Sequence, residues 1–277
     1  MFRKCILPLV VLVALAGTVW AWTLEPFRGW ATAVQLDKAV EAAKKSNCPI
    51  VFLYSEKEAD DPSGKRRMSL ARVYMKLTGL GGMMKVLVYT SVRPPSLFQR
   101  VANQVQEPDE ETPLMYFATP ELKILGFVLS GSHKATANKI AGHARNTMIW
   151  INKCRDEIKA VEKDAAENGR FGTALETYKR IAVEDKRKAI LTHMTWNIVL
   201  SMDEVDNFYF PEIGTKIEEL TPMAEARLGQ ARTAFNNKDY KEVVKLLRIM
   251  VENKGDLEAV REAVELLAKA EENLKEK

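Results

Sequence analysis

The sequence is poor in the side chains that carry metal and thiol chemistry. Its 277 residues include three cysteines and three histidines. No CxxC or HxxxH spacing occurs, so the four closely spaced ligands of a structural zinc site are not there. His133, His143 and His193 are scattered along the chain. Eleven prolines and fourteen glycines are too few for a collagen-like or low-complexity chain. Phosphate loop, dinucleotide fingerprint and nucleophile elbow are all missing. Gly79-Leu80-Gly81-Gly82 follows a helical stretch instead of opening one, so it reads as a helix stop. No basic stripe interleaved with aromatics runs through the chain, which argues against a nucleic-acid partner. No cofactor is expected.

What is present is ordinary globular composition, 47% hydrophobic and 28% charged, at a length that fits two modest domains. The first segment stands apart. Arg3 and Lys4 precede an uncharged apolar run, Ile6 to Gly17, and Val19 and Ala21 sit at the minus-three and minus-one positions of a cleavage site. This is the pattern of a secretory signal peptide, residues 1–21, cleaved before Trp22. The alternative is an uncleaved membrane anchor over residues 5–22, at the short end of a spanning helix. Either way the rest of the chain is expected outside the cytoplasm, periplasmic or secreted, with membrane contact only if the segment is retained. Charge divides the remainder. Residues 22–155 hold 19 Lys and Arg against 12 Asp and Glu, and residues 156–277 hold 20 against 25.

Residues 22–155 read as an α/β domain. Leu36, Ala39, Val40 and Ala43 recur at helical spacing over 36–46, with Asp37 and Glu41 near the start, where the helix dipole favours acid. Pro49 then leads into Ile50-Val51-Phe52-Leu53-Tyr54, a continuous apolar run of the kind found in a strand buried on both faces. A polar loop, Ser55 to Gly64, precedes a helical stretch carrying Met68, Ala71, Val73, Met75 and Leu77. Lys85–Thr90 is a second buried strand, and Pro94-Pro95 opens a short helix with Leu97, Phe98, Val101 and Val105. Thr112-Pro113 precedes the strand Leu114–Phe117. A turn at Thr119–Leu122 joins it to a hairpin partner at Lys123–Leu129, and a helix follows over 134–154.

This order resembles the thioredoxin fold. Trp30, the Ala- and Lys-rich helix and the run Lys44 to Phe52 through Pro49 resemble the opening of secreted thioredoxin-like domains. Thr112-Pro113 is similar to the family's cis-proline loop, and the hairpin after it to the family's following strand pair. The resemblance covers residues ~28–155. The alternative is another small α/β domain with a mixed sheet.

Thioredoxin chemistry needs two thiols two residues apart at the start of the helix after the first core strand, where the helix end lowers the leading thiol's pKa. Here that stretch, Tyr54 to Gly64, has no cysteine and carries Glu56, Glu58, Asp60 and Asp61. Ser55 and Ser63 cannot form a mixed disulfide. The acids lack EF-hand spacing and read as a solvated loop. The resemblance thus implies the fold and argues against the activity. It also implies that Cys48, at the start of the core strand, and Cys154, at the end of the last helix, share the end opposite the usual active site. A disulfide between them would close a loop of ~106 residues, a stabilisation on the order of 4–5 kcal/mol; two unrelated thiols are the alternative.

Residues 156–277 read as helical throughout. Phe171, Ala174, Tyr178 and Ile181 align with Tyr240, Val243, Leu247 and Met250, an echo about two 34-residue periods apart. This is similar to the second helix of a tetratricopeptide repeat, with first helices at 158–167 and 224–236 and a cap at 258–274. The middle unit lacks the pattern, and an irregular helical bundle is the alternative. Phe208, Tyr209 and Phe210 form an aromatic loop that offers anchors for a partner, or core.

The expectation is an exported, non-catalytic protein-binding or scaffolding protein. It joins a redox-inactive thioredoxin-like domain to a tetratricopeptide-like helical domain that takes a protein or peptide partner. A thiol-disulfide oxidoreductase with displaced cysteines and a chaperone-like protein are the alternatives.

Overall fold

The computed structural model describes residues 30–55, 80–89, 95–105, 113–129, 132–196, 206–253 and 255–275. The chain divides into two compact units. The first is Met1–Met148 with Trp196–Val199, and the second Ile149–Thr195 with Leu200–Lys277.

The first unit holds a five-stranded mixed sheet. Its strands are β1 (Ala31–Thr32), β2 (Ile50–Ser55), β3 (Met84–Tyr89), β4 (Pro113–Ala118) and β5 (Ile124–Leu129), in the spatial order β1-β3-β2-β4-β5. β3 runs parallel to both β1 and β2, with Ile50 opposite Met84 and Ser55 opposite Tyr89. β4 runs antiparallel to β2, with Ile50 opposite Ala118, and β5 antiparallel to β4. Successive strand residues face opposite sides. Ile50, Val51, Phe52 and Leu53 are all buried, so β2 is covered on both faces. β1, only two residues long, carries no apolar run and is not anticipated from the sequence.

Helix α1 (Leu36–Ser46) buries Leu36, Ala39, Val40 and Ala43, one stripe at helical spacing. Asn47 ends it in the left-handed region at φ 48, its N–H donating to Ala43 O and Lys44 O. The chain can then turn, through Cys48 and Pro49, straight into β2. Helix α2 (Ser96–Ala102) follows Pro95 and packs on β4. Its Phe98 sits among three sheet aromatics. The ring centroids lie 5.6 Å from Phe52, 4.7 Å from Tyr54 and 5.2 Å from Tyr116. Phe52 and Tyr54 are two apart on β2, and Tyr116 pairs with Phe52 across the ladder, so alternation alone puts all three on one face. The expected helix carrying Met68 to Leu77 lies outside the described residues.

Helix α3 runs unbroken over Lys134–Asn168. The sequence reading put one helix over 134–154 and another over 158–167, but no glycine or proline interrupts residues 143–168. The division between the two units, after Met148, falls inside this helix. The second unit continues with α4 (Phe171–Trp196), α5 (Ile213–Asn236), α6 (Tyr240–Glu252) and α7 (Glu258–Lys275). α5 begins well before the expected Ala224 and carries Pro222 inside it.

The two echoing stretches bury the same positions. Phe171, Ala174, Tyr178 and Ile181 are buried on α4, as are Val243, Leu247 and Met250 on α6. Tyr240 is half-buried, its ring 5.3 Å from Phe235. α5, α6 and α7 pack on one another. Asp239 caps α6, its side chain accepting from the Glu242 N–H at 3.2 Å. Two glycines permit close approach. A Cβ at Gly172 would lie 2.1 Å from Asn253 O, so the first turn of α4 meets the end of α6 backbone to backbone. Gly169, at φ +78, ends α3 where a Cβ would meet the Arg227 side chain.

Candidate functional site

The thioredoxin-like reading places chemistry just beyond β2, which ends at Ser55. Residues 56–64 lie outside the described residues, as does Thr112 of the expected cis-proline pair; Pro113 opens β4.

Both described cysteines are free thiols, the second of the two readings given for Cys48 and Cys154. They belong to different units. Cys48 is half-buried at the foot of β2, its N–H donating to Ala43 O at 3.1 Å. Cys154 is buried in α3. Burial pushes its pKa up to about 11, and the nearby Glu157 and Glu184 charges add to the rise against Arg180 and Lys153. A thiol held protonated in this way is a poor nucleophile at neutral pH.

Of the two readings of Phe208, Tyr209 and Phe210, partner anchors or core, the structure shows core, at 3%, 6% and 0% exposed. The reason is a buried carboxylate. Asp185, in the middle of α4 and 0% exposed, accepts from the Tyr209 N–H through both oxygens at 3.1 Å and from the Phe210 N–H at 3.1 Å. Two main-chain donors that a loop normally leaves to water are thereby satisfied inside. Trp150 of α3 meets Tyr209 and Phe210 edge-on at 6.2 and 5.6 Å. The Tyr209 hydroxyl lies 3.3 Å from Thr192 Oγ1, and burial raises its pKa. Beside this cluster the Trp150 indole N–H donates to Glu184 at 2.9 Å and holds that carboxyl below its usual range, with Arg180 adding to the effect. Lys188 Nζ stands 5.0 Å from the Trp150 ring centre. The arrangement fastens the loop. Nothing in the residue pattern marks it, because Asp185 lies in a charged run, Glu184 to Lys188, that looks like a solvated helix face.

An open cleft of about 420 Å³ lies in the first unit between α1, α2 and the β4–β5 turn. α1 contributes Asp37, Val40, Glu41 and Lys44, four positions on one helix face; α2 contributes Leu97 and Arg100, and the turn Pro120 to Leu122. Ile50 pairs with Ala118, so this turn lies at the end of the sheet where β2 begins, away from the loop after Ser55. The turn is tightly tied. Thr119 N–H donates to Lys123 O at 2.8 Å, Leu122 N–H to Thr119 O at 2.9 Å, and Lys123 N–H to Thr119 Oγ1 at 3.2 Å. Gln104 joins it to α2. Its Nε2 donates to Arg100 O at 2.6 Å and Leu122 O at 2.8 Å, and its Oε1 accepts from the Ile124 N–H at 3.1 Å. Leu122, buried, is held at φ 67.

Among the described residues, no group of three or more His, Cys, Asp or Glu is placed to hold a metal ion, and no helix is long and apolar enough to cross a membrane. Residues 5–22 lie outside the described residues. In comparisons with known proteins, the chain matches no family model, no curated protein and no solved structure.

Proposed function

We propose that the chain is an exported, non-catalytic protein-binding or scaffolding protein, built on a thioredoxin-like domain without its cysteine pair and a tetratricopeptide-like helical domain. One observation carries the reading. In a sheet ordered β1-β3-β2-β4-β5, parallel through β2 and antiparallel beyond it, the stretch after β2 contains no cysteine over 55–64. A scaffold of this topology presents its chemistry at that position, and a disulfide cannot be exchanged there without sulfur. The high pKa of the Cys154 thiol speaks against a displaced substitute. The matching buried stripes of α4 and α6 and the mutual packing of α5, α6 and α7 support the helical-repeat reading of the second unit. Partner recognition then falls to surfaces other than Phe208–Phe210.

Insulin reduction followed beside chemical crosslinking in the native compartment tests this. Turnover at the level of the blank, unchanged in Cys48→Ser and Cys154→Ser, together with one saturable crosslinked partner, is the expected result. Turnover that depends on either thiol overturns it.

A further inference from the structure

Three features of the cleft between α1, α2 and the β4–β5 turn point to a ligand. Two of its walls are fixed to one another, because Gln104 bonds both Arg100 O on α2 and Leu122 O on the turn. Its turn holds a bulky residue, Leu122, in the left-handed region. That conformation costs an L-residue on the order of 1–2 kcal/mol and persists only where the surroundings over-determine it, as they do at ligand clamps. Its side chains are sorted by chemistry. Val40, Leu97, Pro120 and Leu122 give an apolar floor. Lys44 is neutralised by Glu41 at 2.9 Å. Glu121 of the turn also lines the cleft and has a partner of its own. The Asp37 carboxylate and the Arg100 guanidinium, on different helices and of opposite sign, have no side-chain hydrogen-bond or ion-pair partner among the described residues.

We propose that this cleft binds a short peptide segment carrying a basic side chain, an apolar side chain and a carboxylate in succession. The base pairs with Asp37, the apolar group covers Val40, Leu97 and Leu122, and the carboxylate meets the Arg100 fork, the geometry guanidinium binds best. The volume lies in the range of small-ligand sites and suits a segment of about three residues. Gln104 and Thr119 already hold α2 and the turn in place around Arg100. The proposal does not rest on the scaffold reading, because the cleft is at the opposite end of the sheet from the loop after β2.

The test is a heteronuclear NMR titration of the full chain with the acetylated, amidated tripeptide lysine–leucine–aspartate. Its reversed order and the uncharged analogue glutamine–leucine–asparagine are run beside it. Saturable shifts confined to α1, α2 and the turn are expected for one of the charged orders at millimolar concentration. Affinity should fall about tenfold in each of Asp37→Asn and Arg100→Gln, the loss of one charge-assisted contact, and about a hundredfold for the uncharged analogue, which loses both. Lys38→Gln, on an exposed part of α1 outside the cleft, should bind as wild type. Absence of saturation with both charged orders overturns the proposal. So does equal affinity for the uncharged analogue, or a loss in Lys38→Gln as large as in Asp37→Asn.

Discussion

Replacing Asp185 by alanine removes the acceptor of two buried main-chain N–H groups, Tyr209 and Phe210, and leaves both without water. The expected loss is on the order of 3 kcal/mol, read as a lowered midpoint in urea. Tyr209→Phe removes the single hydroxyl contact to Thr192 and should cost about 1 kcal/mol. Equal effects would contradict the carboxylate's role. Cys154 gives a pH prediction. Its folded pKa, about 11, lies above the ordinary thiol value of 9.0, so the native state holds the proton more tightly. The stability this contributes is complete below pH 9 and is lost as pH rises through about 11. In a Cys5→Ser, Cys48→Ser background, Cys154 should resist Ellman's reagent at pH 8 and react steadily faster as pH approaches 11. Rapid labelling at pH 8 without unfolding would refute the burial argument. Neither Asp185 nor Gln104 was legible in the sequence. Their importance comes from partners distant in the chain, and a polar residue among polar neighbours carries no mark of such partners.

At the scale of elements, Phe98 joins α2 to the sheet. Phe98→Ala leaves a hole among Phe52, Tyr54 and Tyr116 and should destabilise the first unit by about 3–5 kcal/mol. Near-ultraviolet circular dichroism on thermal melting measures this, and a loss under 1 kcal/mol would mean that the ring is not wedged as described. Elements written in strong periodicity were legible. The bounds 36–46 for α1 follow from its stripe, and β2 follows from an apolar run that has no amphipathic face. The Thr119–Leu122 turn was legible from Thr-Pro-Glu chemistry. β1 was not, because two residues paired only to β3 have no pattern of their own. The unity of α3 was missed although nothing in its pattern breaks: Ala137, Ala144, Ile151, Ile158 and Ala165 are buried at a constant spacing of seven, and no glycine or proline divides residues 143–168. The cleft was invisible for a related reason: α1, α2 and the turn supply it from stretches that read, one by one, as ordinary helix surface and hairpin.

For the molecule as a whole, the sequence made plain a mixed sheet followed by helices, because residue patterning shifts from strands among helices to helices alone. It did not show where one compact unit gives way to the next. The expected division at 155/156 falls inside α3, and Trp150, on its near side, is a neighbour of Tyr209 and Phe210. Dissection of the chain therefore has a preferred cut. A fragment starting at Asp156 discards the indole that lids those two rings and would come out of expression sticky, with a broad melt and dye-binding apolar surface. One starting at Ile149 keeps the lid and should melt cooperatively. Indistinguishable melts for the two fragments would mean that the tryptophan is a bystander to the unit's integrity.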